Sequence, residues 1–195
     1  MRYPRTHKQE TRRKLVANAR AIAKRGGFGQ TGVDAMMSSI GLTGGAFYGH
    51  FPTKEALFNA LVEEELRNSS EMLAGDDAAS REQVAKSLRS YLSSSHALHP
   101  EGGCVLPTLG PEIARAGPEV RETVERGVKR IQKNWSERLG DSDFAWALIA
   151  QCVGALVLAR AVQGECTRKD ILAASRRLLG EALGMESLAK SGRGS

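Results

Sequence analysis

The sequence GLTGGAFYGHFPTKEAL, from Gly41 to Leu57, places four ring-bearing residues in a short segment that glycines interrupt. A glycine inside a helix costs about 1 kcal/mol relative to alanine, so Gly44 and Gly45 are poor choices for a helix that has only to be stable. They suit a backbone that must approach another molecule closely. The stretch therefore predicts a binding element.

The residues on either side predict two short helices joined by a tight turn. Apolar residues recur at helical spacing over 31–40, Gly41 interrupts the pattern, and Thr43 is placed to cap a helix that runs to about residue 50. Two helices of this length and spacing are typical of a helix-turn-helix, whose second helix enters the DNA major groove.

The rings of the second helix divide between two faces. Phe47 and Phe51 are four residues apart, so they share one face and are expected to lie in the core. Tyr48 and His50 then point outward, where a hydroxyl and an imidazole can donate to phosphate oxygens. An ordinary surface position is the competing interpretation for both.

Helical periodicity continues along nearly the whole chain, with no convincing strand and no repeat. The sequence predicts an all-α protein of about nine helices, near residues 6–25, 31–40, 43–50, 54–73, 80–92, 106–115, 118–139, 143–163 and 167–183. Capping is expected at Ser80 with Gln83 and at Ser142, and Gly140 is expected to end a helix.

Positive charge is concentrated in the first third of the chain. The formal net charge is +6, and residues 1–60 hold ten basic and three acidic side chains. Such a field attracts polyanions, and phosphate contacts supply most non-specific affinity for nucleic acid. A solvated basic arm remains the alternative on charge alone.

The cysteine pattern and the apolar segments favour a cytoplasmic protein. The three cysteines have no CxxC spacing, which disfavours a disulfide framework. No secretory leader is recognised. The apolar run 144–159 is shorter than the roughly 18–20 residues that span a bilayer, so a buried helix and no membrane contact are expected.

No cofactor or metal is expected, and nothing indicates catalysis. The possible metal ligands His96, His99, Glu101 and Cys104 are close in sequence but lack a recognised ligand spacing. No Ser/His/Asp set or phosphate-binding glycine loop stands out. An enzyme that holds an anionic substrate, or a membrane-surface protein, remains a distant alternative use of the basic segment.

The segment TRRKLVANARAIAKRGGFGQTGVDAMMSSIGLTGGAFYGHFPTKEALFNALVEEEL, Thr11 to Leu66, resembles the DNA-binding domain of TetR-family (TetR/AcrR type) transcriptional regulators. Gly-Leu-Thr, Phe-Tyr-x-His-Phe and x-Lys-Glu-x-Leu occur in order at that family's spacing. The resemblance implies that Tyr48 and Lys54 contact DNA phosphates. It also implies that Thr43, Gly44 and Gly45 begin the recognition helix.

Two later segments are more weakly similar to the same family. GGCVLPTLGPEI (102–113) and VGALVLARAV (153–162) look like its ligand-domain loop and dimer helix. The resemblance implies a DNA-binding domain at 1–55 and an effector-binding and dimerisation domain at 56–184. The polar composition of 185–195 predicts a flexible tail. It implies a homodimeric repressor that binds a palindromic double-stranded operator and that a small apolar or electrophilic effector releases.

The later half supplies two further sets of expected site residues. Aromatic and thiol side chains between helices are expected to line the effector pocket: Tyr91, Cys104, Trp135 and Phe144. Small and apolar positions on the last two helices are expected to form a four-helix dimer interface: Gln151, Gly154, Ala155, Leu158, Ile171, Ser175 and Leu179.

Cys104 carries an alternative regulatory hypothesis. It follows Gly102 and Gly103 and precedes a predicted helix, and a helix amino terminus increases thiolate reactivity. Redox or electrophile sensing through Cys104 therefore competes with a simple pocket-lining role. Cys152 is expected to be an inert core thiol, and Cys166 to be exposed without activation.

Overall fold

The computed structural model describes residues 5–74, 80–185 and 188, and the regular structure in these residues is helical. It comprises α1 (Arg5–Gly26), α2 (Val33–Ser38), α3 (Gly44–Phe47), α4 (Lys54–Ala74), α5 (Arg81–Tyr91), α6 (Ser94–Leu98), α7 (Val105–Arg115), α8 (Pro118–Leu139), α9 (Ser142–Ala161) and α10 (Glu165–Ala182). The predicted all-α class is confirmed. Helix α6 and the 3₁₀ turn Pro100–Gly102 lie where the sequence predicted a loop.

Local capping explains where several helices begin and end. Gln83 N donates to Ser80 Oγ at 3.3 Å, and Ser80 N donates to Gln83 Oε1 at 2.6 Å, which is the predicted capping box. Gly140 ends α8 with a φ of +69°, as predicted. The expected cap at Ser142 is wrong, because Asp141 Oδ1 accepts from Phe144 N at 2.9 Å and Ser142 is the first helical residue.

The first apolar core surrounds α1 to α3 and the beginning of α4. Phe47 and Phe51 are 0% and 1% exposed, in agreement with the inward face predicted for them. Helices α7 and α8 also enter this core through Leu109 and Val120. The core therefore contains side chains from both sides of residue 55, and the predicted domain boundary there remains a prediction.

The second core lies between α5, α8, α9 and α10 and includes the fully buried Trp135 and Tyr91. Helix α9 is long and apolar enough, by length and composition alone, to cross a membrane, but 39% of its most apolar window is buried inside the protein. Leu188, inside the segment predicted as a flexible tail, is fully buried in this core. The rest of that tail beyond Met185 lies outside the described residues.

Helix α4 packs closely along α8 because Gly127 has no side chain. A Cβ at this position would lie 2.7 Å from Leu66 Cδ1 and 3.0 Å from Leu66 Cβ. Leu66 itself belongs to the first core, so this contact seats α8 against the helix that both cores share.

Gly127→Ala is expected to lower the free energy of unfolding by about 1–3 kcal/mol, because the added methyl group overpacks the α4–α8 contact. Urea unfolding followed by circular dichroism measures the change. Gly110→Ala in α7 is the matched control, since no atom lies within 4 Å of the added Cβ. In this control variant the free energy of unfolding should be unchanged, or higher by up to about 1 kcal/mol because alanine has the better helix propensity. Equal stability of the two variants would contradict this packing.

Candidate nucleic-acid interface

Helices α2 and α3 form a compact helix-turn-helix. The turn depends on Gly41, whose φ of +73° lies in the left-handed region that side chains disfavour. Leu42 N donates a hydrogen bond to Met37 O at 3.0 Å, which closes the turn. The turn thus fixes α3 across the end of α2.

The glycines at the start of α3 have different structural reasons. A Cβ at Gly44 would overlap the Asp34 carboxylate of α2, so a side chain there would displace this exposed carboxylate. No atom lies within 4 Å of a Cβ placed on Gly45, and Gly45 is exposed. Close approach to another molecule, which the sequence predicted for both, stays a prediction, and the Asp34 carboxylate is a second reason for glycine at position 44.

Tyr48, the cap residue that directly follows α3, is 66% exposed. Its ring meets the buried ring of Phe47 edge-on, with centroids 5.3 Å apart. Thr43 is exposed as well, whereas Gly44 and His50 are half-buried. The buried ring thus orients a neighbour whose hydroxyl faces solvent.

Lys54 begins α4 beside the loop between α1 and α2. Its Nζ donates to Gly29 O at 3.0 Å and lies 5.0 Å from the centroid of the Phe28 ring. An ammonium group has three donors, so this bond leaves two N–H groups for another acceptor. Lys54 is therefore held in place at the edge of the helix-turn-helix.

Arg12 is a residue of this surface that sequence reasoning did not single out. Its Nη1 donates to His50 O at 2.8 Å, and its guanidinium lies 3.9 Å above the Phe51 ring centroid. Arg12 thereby attaches α1 to the end of α3. The basic charge of α1 was visible in the sequence, but the pairing with a residue 38 positions later was not.

The four residues expected to line one effector pocket are divided in the structure. Trp135 and Phe144 line a cavity of about 660 Å³ at the far end of α8, together with Val84, Arg138, Leu139, Asp141, Ala182, Leu183 and Met185. Tyr91 lines a separate cleft of about 280 Å³. Cys104 is fully buried and lies in the lining of neither space.

His96 supports the chain around Cys104. Its Nδ1 donates to Tyr91 O at 2.6 Å, which leaves Nε2 to accept from Cys104 N at 3.1 Å. This tautomer is neutral. Burial lowers the pKa of His96, and the positive charges of Arg160 and Lys24 lower it further, against the opposing effect of the Tyr91 carbonyl.

Burial suppresses the ionisation of Cys152 and of the Tyr91 phenol. Burial raises the pKa of Cys152 to about 12, which fits the inert core thiol that we expected. Burial, with Cys104 beside it, raises the pKa of the Tyr91 hydroxyl well above its usual range. Cys166 is exposed, as expected.

The expected dimer residues differ in their accessibility. Ala155, Ser175 and Leu179 are buried within the chain itself, and Gln151 Nε2 donates to Ser175 Oγ at 3.0 Å between α9 and α10. Leu158 is 58% exposed, and Gly154 and Ile171 are half-buried. Sequence reasoning missed two large exposed residues on the same helices, Val157 and Leu178.

A family model and a solved structure both relate this chain to the TetR family. The family model described as "Bacterial regulatory proteins, tetR family" matches residues 15–61. A TetR-family transcriptional regulator from Pectobacterium atrosepticum is 25% identical, with a TM-score of 0.59 over 93% of this chain and 96% of that chain. A search among curated proteins finds no match.

Two further solved structures share the fold. Reduced NemR from E. coli is 20% identical, with a TM-score of 0.68 over 86% of this chain and 97% of that one. RolR in complex with resorcinol is 18% identical, with a TM-score of 0.57 over 98% of this chain and 99% of that one. The predicted family resemblance and the two-part helical architecture are confirmed.

The stability of the protein is expected to fall in acid through His96. Because the pKa of His96 is lower in the folded chain than in the unfolded chain, the folded protein binds fewer protons between these two values. The free energy of unfolding should therefore be fully retained above about pH 6.5 and decrease as the pH falls toward the folded pKa.

Urea unfolding at about pH 8 and about pH 5.5, on either side of the unfolded histidine pKa, measures the effect. His96→Gln keeps an acceptor for Cys104 N but does not titrate, so it should lose less stability in acid than the wild type. His99→Gln, at a side chain that is 68% exposed, should behave as the wild type does. An identical acid loss in all three proteins would contradict the role of His96.

Proposed function

We propose that this chain, which residues 15–61 assign to the tetR family of bacterial regulatory proteins, is a ligand-responsive cytoplasmic repressor that binds a palindromic operator as a dimer. The observation that carries the proposal is the helix-turn-helix, with Tyr48 exposed at the end of α3 and Lys54 held by Gly29 O at the start of α4. The family resemblance implies that both residues contact DNA phosphates. The relatives indicate a regulator rather than an enzyme.

The DNA contacts that we propose are of two kinds, contacts to phosphates and an approach of the recognition helix to the bases. Tyr48, Lys54 and His50 are assigned to phosphates, and the basic amino-terminal third supplies the surrounding field. Thr43, Gly44 and Gly45 are assigned to the start of the recognition helix, where α3 enters the major groove. Gly45 is exposed and without a side chain, which supports close approach of the backbone.

The dimer that we propose uses the outer faces of α9 and α10. Leu158 and Leu178 are more than half exposed, and Val157 is 45% exposed, which is costly for a chain that stays monomeric. Two copies of this helix pair around a two-fold axis would cover these side chains in a four-helix interface. The buried Ser175 and Leu179 then support the interface from within each subunit.

The effector that we propose is a small, mainly apolar molecule. The cavity beside Trp135 and Phe144 is about 660 Å³, within the roughly 300–1,000 Å³ that is usual for small-molecule sites. The resorcinol bound to RolR supports an aromatic ligand by analogy. An effector that binds one conformation more tightly would move α4, change the separation of the two recognition helices and lower operator affinity.

Burial weighs against the alternative hypothesis of redox or electrophile sensing. Cys104 is the amino-terminal cap residue of α7, as the sequence suggested, but its side chain is 0% exposed. Reactive thiols are partly exposed as a rule. We therefore assign Cys104 to the packing around His96 and propose non-covalent effector binding.

Tyr48→Phe and Lys54→Ala are each expected to weaken binding to all duplex sequences alike, because phosphate contacts carry no sequence information. Lys54→Ala should also reduce the slope of log Kobs against log salt by about one. Fluorescence anisotropy with two unrelated duplexes over a salt series measures both effects.

Two controls accompany this titration. Lys133→Ala removes a side chain that is 73% exposed on α8 and should leave the salt slope unchanged. Anionic phospholipid vesicles at matched salt should not compete with the duplex. Equal slopes for the wild type and Lys54→Ala would refute the Lys54 assignment, and vesicle binding without DNA binding would refute the proposed function.

Leu158→Glu is expected to convert the dimer to a monomer at micromolar concentration, because a carboxylate would be desolvated at the two-fold interface. Multi-angle light scattering measures the mass. Tyr48→Glu is the control, since Tyr48 is 66% exposed in the helix-turn-helix and belongs to neither interface helix, and this variant should remain dimeric. A monomeric wild type would overturn the dimer.

A further inference from the structure

A buried ion pair joins the DNA-binding part of the chain to α4. Lys24 of α1 is 5% exposed and Glu65 of α4 is 2% exposed, and the Lys24 ammonium contacts Glu65 Oε2 directly. Arg20 Nη1 approaches the other carboxylate oxygen at 3.3 Å. A buried charge is tolerated only beside its partner, so this pair restricts how α1 can move along α4.

The same ammonium group reaches a third element. Lys24 Nζ donates to Gly103 O at 2.7 Å, and this buried hydrogen bond joins residues 79 positions apart. Gly103 immediately precedes Cys104, the cap residue of α7. Lys24 is therefore a direct connection between α1 and the segment that leads into α7.

The segment at Gly103 is held tightly on its other side. A Cβ at Gly103 would overlap Nε2 and Cδ2 of His96, whose Nε2 accepts from Cys104 N. Val105 N approaches Ser69 Oγ of α4 at 3.5 Å. Gly103 thus lies between the His96 ring and the Lys24 ammonium, and a displacement of its carbonyl breaks the bond to α1.

Helix α1 in turn holds the helix-turn-helix. Asn18 Nδ2 donates to Met36 O of α2 at 3.0 Å, and Arg12 Nη1 donates to His50 O after α3. A shift of α1 is therefore passed to both helices of the binding element. The cleft of about 280 Å³ lined by Tyr91, His96 and Gly102 lies against the opposite end of this chain of contacts.

We propose that Lys24 is a positioning residue, through which displacement of Gly103 is transmitted by α1 to the helix-turn-helix. The pathway passes directly from the segment before α7 into α1, with Glu65 holding the ammonium in place. Its DNA readout rests on the proposed function, but the mechanical connection does not. Coupling requires that the two ends share one element, and α1 is bonded both to Gly103 and to the helix-turn-helix.

The test uses Gly103→Ala as a built-in displacement that needs no effector. Gly103 has a φ of −95°, so alanine fits its backbone and acts through the contacts of its Cβ, which are a clash with the His96 ring and a tight approach of 3.3 Å to Arg160 Nη2. Gly102→Ala is the matched control, because no atom lies within 4 Å of its Cβ. Each substitution is made in the full chain and again with Lys24→Met and Glu65→Leu, which replace the ion pair by apolar side chains.

Amide hydrogen exchange over residues 28–51 and anisotropy with a random-sequence duplex are measured for all variants. Gly103→Ala should accelerate exchange there and weaken DNA binding by about fivefold or more, the lower end for coupled sites. Gly102→Ala should change neither. With the ion pair removed, Gly103→Ala should no longer change either, although any general destabilisation would persist and would appear in the thermal unfolding midpoint.

Two results would overturn the proposal. One is an effect of Gly103→Ala that is equally large with and without the Lys24–Glu65 pair. The other is no change in exchange over residues 28–51 when Gly103→Ala is made in the wild-type background. Because exchange is measured without DNA, a wild type that fails to bind any duplex would refute the proposed function and leave the connection through Lys24 supported by the exchange result.

Discussion

The burial of Glu65 is the constraint on which the arrangement of this protein depends. A carboxylate removed from water is costly unless opposite charge accompanies it, and here the lysine of α1 is buried with it. Apolar residues of the same volume often stabilise a fold as well as such a pair does. We therefore infer that the pair determines position: the only favourable register of α1 on α4 is the one that joins the two charges.

Two further carboxylates hold the connections between helices in place by accepting hydrogen bonds from backbone N–H groups. Glu112 of α7 accepts from Phe28 N and Gly29 N at 3.0 and 3.1 Å, and Glu55 at the start of α4 accepts from Gly117 N at 2.8 Å, just before α8. Each contact satisfies backbone N–H groups in a loop between two helices, where no helical hydrogen bond is available to them. The helix-turn-helix is thus attached to the larger helical bundle at several defined points, so the two parts are mechanically connected.

Sequence reasoning was strongest where a local pattern determines the structure. The spacing of Phe47 and Phe51 predicted their burial, and Ser80 with Gln83 predicted a capping box, because both depend on residues within one turn. It failed where two adjacent residues were both suitable, as with Asp141 and Ser142. It also missed the internal reason for Gly44, which depends on a contact with another helix.

The candidate sites show the same limit. Helix α9 is apolar nearly all round, so its sequence has no polar face to indicate which side meets solvent. Ala155 was assigned to the dimer interface as a small residue, although it is buried within the chain itself, and Val157 was overlooked. Tyr91 and Trp135 likewise line different cavities because of how α5 and α8 pack. The hydrophobic periodicity of a sequence does not predict such packing.

The shared first core has a consequence for biosynthesis. Its buried residues extend from Leu15 to Val120, so the apolar surface of α1 and α4 is not fully covered until the start of α8 has left the ribosome. Domains near an amino terminus commonly fold first during translation. Here the core around the helix-turn-helix is complete only after α7 has been synthesised. A nascent chain that is stalled before residue 105 therefore exposes apolar surface of α1 and α4, and its helix-turn-helix lacks part of the core that supports it.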